Sequence, residues 1–161
     1  MLPFLSFLQS SPLGHVMRES GGWTYACVNL VHIIGIALLF GSVLLLDLRM
    51  LGLWRHVPLA PLATVAAPLT RTGFAIAVVS GLGLLSANAT DYATNPFLLI
   101  KFPAIGLGAL NALVLQRSAA WRTIPARPLA PHEERQLARF AGLSLACWTT
   151  AVTAGRMIGY W

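Results

Sequence analysis

Apolar residues fall into four long runs, at residues 23–46, 71–87, 97–116 and 139–160, separated by polar connections that carry prolines. Each run is about the 20 residues that a helix needs to cross a hydrocarbon core of roughly 30 Å. Lipid offers no partner to open backbone groups, so each run is expected to be an α-helix. The fold predicted is all-α: a four-helix transmembrane bundle forming one domain over residues 1–161. Residues 2–19 precede the first run and are expected to lie as an interfacial or re-entrant segment on the outer side. The first eleven residues have no basic start, so insertion is expected through the first span and not a cleaved leader. Between the first two runs, Pro58, Pro61 and Pro68 are expected to interrupt any regular helix. Between the last two, Pro125, Pro128 and Pro131 mark a solvated hinge.

Composition agrees with this division. The 161 residues are 57% hydrophobic and only 10% charged, with a mean hydropathy of +0.71. An ordinary soluble domain carries about a quarter charged residues. The net charge of +6 is spread between the apolar runs and gathers on no single patch. It therefore reads as an orientation signal, with no nucleic acid among the expected partners. Arg49, Arg55, Arg71, Arg117, Arg122, Arg127, Arg135 and Arg139 flank one side of the expected membrane; Arg18, Lys101 and Arg156 flank the other. That asymmetry predicts cytoplasmic long loops and both termini on the periplasmic side of a bacterial inner membrane. Trp23, Tyr25, Tyr92, Tyr160 and Trp161 would then form an outer aromatic belt, and Trp54 and Trp121 an inner one.

Small residues recur every four positions at Gly73, Ala77 and Gly81, and again at Ala104, Gly108 and Ala112. Such stripes let helix backbones approach closely. Cys27 and Cys147 lie inside apolar runs with no second ligand at helical spacing, and read as small buried hydrophobes.

His32 is the most informative side chain. It lies about 13 Å into the first run by helical rise, on one face with Tyr25, Asn29 and Gly35. Polar groups at that depth are costly and face the bundle interior. A neutral histidine bonded to a neighbouring helix accounts for it about as well as an axial haem ligand does; copper, proton and quinone sites are further readings. Lys101 and Arg156 form a second constellation. Lys101 shares a face with Ala104, Gly108 and Asn111. Arg156 follows Thr149 and Thr153 and precedes Tyr160 on a polar face flanked by Trp148. Simple snorkelling explains either cation. Convergence of both above His32 would instead make a carboxylate site, for haem propionates or an anionic substrate. Asp47 and Arg49 read as an ion pair anchoring the end of the first span. His15, His56 and His132 lack ligand spacing and read as solvated. No phosphate-binding glycine loop, hydrolase triad, CxxC or His-Glu-x-x-His occurs.

The run His32-Ile33-Ile34-Gly35, Gly41 and Asp47-Leu48-Arg49, with Asn95-Pro96-Phe97, Lys101, Trp148 and Gly155-Arg156, resembles an uncharacterised family of small bacterial four-helix membrane proteins. It is more distantly similar to the copper-resistance D-type membrane proteins and to the small membrane protoporphyrinogen oxidase that binds haem b. That likeness implies His32 and Lys101 as haem-site residues, although the Asp-Leu-Arg end of the first span departs from the oxidase pattern. The reading that follows is a membrane subunit binding haem b for electron transfer or haem-linked oxidation. His32 would be the iron ligand, and Lys101, Arg156, Asn29 and Trp148 would surround the group. The second axial position is open to Lys101, Met157, a second protomer, or nothing. The alternative is a cofactor-free structural or accessory subunit of a larger membrane complex or homo-oligomer.

Overall fold

A computed structural model describes residues 2–160, which leaves the belt residue Trp161 outside the described residues. These form seven α-helices and a terminal 3-10 turn, with no strand among them: α1 (Leu2–Ser10), α2 (Pro12–Glu19), α3 (Gly21–Met50), α4 (Leu59–Ala87), α5 (Pro96–Arg117), α6 (Ala119–Thr123) and α7 (Pro131–Met157). The all-α class is as expected, but seven helices stand where four spans and an interfacial segment were expected. Three of them, α3, α4 and α5, are long and apolar enough to cross a membrane. α7 is 27 residues long, but Thr149, Thr150, Thr153 and Arg156 dilute its apolar character.

The largest correction concerns α4, which begins at Leu59 and not near Arg71. Pro61 falls in its first turn, where the missing N–H would have no helical partner anyway. Pro68 does remove a bond from the interior, at a usual cost of about 3 kcal/mol. The helix continues through it because Leu59 and Ala66 are buried in an apolar cluster with Leu46, Met50, Leu115, Ala120, Ile124, Leu137 and Ala141. A window sized to the bilayer misses this extension, since burial against protein continues past the lipid edge.

The N-terminal segment is a helical pair clamped to the end of α4. Arg18 Nη1 donates to the carbonyls of Gln9 (2.9 Å), Ala87 (3.3 Å) and Ser86 (3.4 Å), binding carbonyls exposed at a helix end. Gln9 Oε1 accepts from both the N–H and hydroxyl of Thr90, each at 2.8 Å. The proline-rich connection before α7 is likewise pinned. Arg127 grips Glu133 with two parallel bonds of 2.9 and 3.0 Å, and Glu133 accepts from the Ala130 N–H at 2.8 Å.

Packing runs in a row: α4 on α3, α3 on α7, α7 on α5. The α3–α4 contact follows the small-residue stripe. A Cβ on Gly73 would lie 2.4 Å from the backbone nitrogen of Leu39, and one on Gly35 would lie 2.8 Å from that of Ala77. In the C-terminal half of α3, Leu39 and Val43 meet α7 through Trp148. At the opposite end the first turns of α3 are largely exposed, Trp23 at 88%. Cys27 sits on this open face, whereas Cys147 is buried as expected.

Candidate functional site

α3 contacts α4 in its N-terminal half through the face that carries Val28 and His32, while Tyr25 and Asn29 stay exposed beside it. The His32 ring packs against Gly81, where a Cβ would come within 2.9 Å of the ring Cε1. Nδ1 is 3.0 Å from Ser80 Oγ, and Ser80 Oγ donates its only proton to the Ile76 carbonyl at 2.5 Å. With its proton committed there, Ser80 Oγ is placed to accept from Nδ1–H, and backbone Ala77 is a further hydrogen-bond partner of the ring. A hydroxyl anchored on the backbone in this way orients the ring. Ser80 was not legible as a site residue in the sequence. Its only signal was its place directly before Gly81 in the small-residue stripe.

Lys101 turns inward. Its Cε and Nζ lie 3.4 Å from where a Cβ on Gly155 would stand, so the side chain crosses α7 at a position without a side chain. Its ammonium is the charge felt at His32. Arg156 does not join them. It is exposed, stacks over the Tyr160 ring at 4.6 Å and hydrogen-bonds the Tyr160 hydroxyl. Thr149 and Thr153 on the same side are exposed too. Trp148 lies deeper, 5% exposed, edge-on to Phe74 with centroids 6.0 Å apart. Its indole covers Gly108, 3.0 Å from the position of an added Cβ. Of the five residues singled out, the structure brings His32 and Lys101 into one neighbourhood with Asn29 a turn away. Trp148 is placed in the core and Arg156 at the rim.

Asp47 and Arg49 do not form the expected ion pair. Arg49 donates to the carbonyls of Val57 (2.6 Å) and Arg55 (3.2 Å), closing the turn after α3. Asp47 points the other way, into the protein, and is 3% exposed. His15 faces Glu19 at 3.7 Å on the surface, and His56 and His132 are exposed. No group of three or more His, Cys, Asp or Glu converges on a metal position among the described residues.

No curated protein and no solved structure matches the chain, and no similarity to the copper-resistance D-type proteins or to the haem-binding oxidase is shown. Over residues 4–161 the chain matches a family of unknown function (DUF6644), and it belongs to that family.

Proposed function

We propose that this protein is a multi-pass membrane protein that holds a haem b at His32 for electron transfer or haem-linked oxidation. α3, α4, α5 and α7 cross the bilayer in this reading, with the basic loops in the cytoplasm and both ends outside. The observation that carries it is the placement of His32: an imidazole in the N-terminal half of α3 whose Nδ1 lies 3.0 Å from Ser80 Oγ, a hydroxyl anchored on the Ile76 carbonyl. An imidazole at membrane depth with a fixed orientation is a suitable iron ligand. Haem, when bound there, supplies the one-electron chemistry; the chain supplies orientation and charge. Ser80 aims the ring, Gly81 lets it lie close to α4, and Lys101 places a positive charge within reach of a propionate carboxylate. The exposed apolar face around Leu30, Val31, Ile33 and Ile34 lies on the side of α3 away from His32 and suits lipid or a partner that covers it.

The test is the optical spectrum of protein purified in mild detergent from haem-replete cells. A Soret band is expected, absent in His32→Ala with the helical content unchanged. Ser80→Ala should keep the band but weaken haem retention roughly 10-fold to 100-fold, as loss of an outer hydrogen bond to a ligand does. A colourless, metal-free protein overturns the reading and leaves the accessory subunit, docked through the same open face.

A further inference from the structure

A second polar site lies toward the C-terminal end of α3, about four turns along that helix from His32, with Trp148 in its wall, and it is independent of the haem reading. Here α3, α4, α5, α6 and α7 line a partly open cavity of about 60 Å³. A single water needs roughly 10–15 Å³, so the cavity has room for an ion with a water or two. Its polar lining is Asp47, Thr70, Asn111, Gln116 and Ser144; Asp47 is the one titratable group in it.

Two acceptors in this cavity have no donor. Asp47 Oδ2 and Asn111 Oδ1 are fully buried and unpartnered, in residues only 3% and 5% exposed. The Asn111 amide cannot be turned to help. Its Nδ2 donates to the Phe140 carbonyl at 3.0 Å, which fixes Oδ1 as the atom facing the gap. Thr70 is held too: its hydroxyl meets Ser42 at 2.8 Å and the Ala66 carbonyl at 2.9 Å. Ser144 interacts with the Asp47 carboxylate. No cation is paired with that carboxylate, since Arg49 is committed to backbone carbonyls. A buried carboxylate with neither counter-charge nor full hydrogen bonding is expensive to maintain.

We infer that this cavity binds one monovalent cation, with Asp47 and Asn111 as its principal oxygen ligands and Thr70 and Ser144 completing the shell. One carboxylate among neutral oxygens balances a single positive charge, and hard oxygen donors suit a proton or a sodium ion and not a soft metal. A divalent ion would remain uncompensated. An ionisable group paired with a small cation inside a membrane bundle is the usual mark of an ion-dependent or proton-dependent step.

The experiment uses the whole protein in detergent and needs no haem. Thermal unfolding is followed while sodium chloride replaces choline chloride at constant ionic strength, alongside the infrared carbonyl band of protonated carboxylic acid. With sodium bound, the wild-type Tm rises steadily with the logarithm of sodium concentration. With a proton bound, sodium has no effect and a carboxylic-acid band is present. In either case Asp47→Asn, which is neutral already, folds and loses the response or the band. Ser144→Ala, a milder change, weakens sodium binding or moves the band, and serves if Asp47→Asn does not fold. A wild type with no sodium response and an ionised Asp47 overturns the inference, as does an Asp47→Asn protein that keeps the response.

Discussion

Three glycines on helix contacts look alike in sequence but differ in what lies opposite. At Gly73 the obstacle is backbone: an added Cβ would sit 2.4 Å from the Leu39 nitrogen and 2.9 Å from both the Gly35 oxygen and the Leu39 Cα. Backbone cannot step aside without separating α3 from α4. Gly73→Ala is therefore expected to destabilise by about 1–3 kcal/mol, the usual cost of overpacking, read as a lower Tm. At Gly81 the obstacle is the His32 ring at 2.9 Å, which can swing away. Gly81→Ala should then disturb the ring and the proposed haem band more than the fold. At Gly155 the neighbour is the flexible end of Lys101 at 3.4 Å, an ordinary contact, so Gly155→Ala should leave Tm nearly unchanged. A series in which all three cost the same would contradict these contacts. The stripe itself was readable from spacing, since 73, 77 and 81 repeat at one helical turn. What each member meets was not, because the partner lies on another helix.

At the scale of elements, the start of α7 has a pH dependence. The Ala130 N–H and the Arg127 guanidinium both bond the ionised Glu133, and together they hold its carboxyl below the usual range. A carboxyl with a lowered folded-state pKa adds stability that is complete above its unfolded pKa of about 4.3, and loses it as pH falls through the folded value. Wild type should exceed Glu133→Gln in Tm at neutral pH, and the gap should close on acidification. An unchanging gap would refute the capping role. This capping is half of a capping box, because alanine at the cap offers no side-chain acceptor in return. The sequence showed the prolines and the acidic pair here but suggested a loose hinge. It could not show that Arg127 reaches forward to Glu133 to close it. α6 was missed for a similar reason: one turn, started by Ser118 accepting from the Trp121 N–H at 3.2 Å, has no periodicity to detect. The same holds for Asp47, where adjacency to Arg49 suggested a pair and the helical twist sends the two side chains to opposite sides.

For the whole molecule, the proposed orientation and the open outer half belong together. Two helix pairs, α3–α4 and α5–α7, meet at the C-terminal end of α3, around Leu46, Met50, Leu115, Leu137 and Ala141. His32 and Lys101 lie toward the other end, where the first turns of α3 are uncovered. With eight basic residues flanking the inner side and three the outer, the proposed topology faces the His32 end to the periplasm and the Asp47 cavity to the cytoplasm. Thr94, in the turn before α5, and Ala126, in the connection before α7, are both exposed and lie at opposite ends. In a Cys27→Ser, Cys147→Ala background, Thr94→Cys should react with an impermeant maleimide added to intact inner-membrane vesicles of right-side-out orientation. Ala126→Cys should react only after the vesicles are opened. The background change is needed because Cys27 is itself exposed. Labelling of Ala126→Cys alone in sealed vesicles would invert the molecule and put the proposed haem pocket on the cytoplasmic side. Labelling of both would mean an even number of crossings between them, so that either α5 fails to span or the bundle does not cross the bilayer at all.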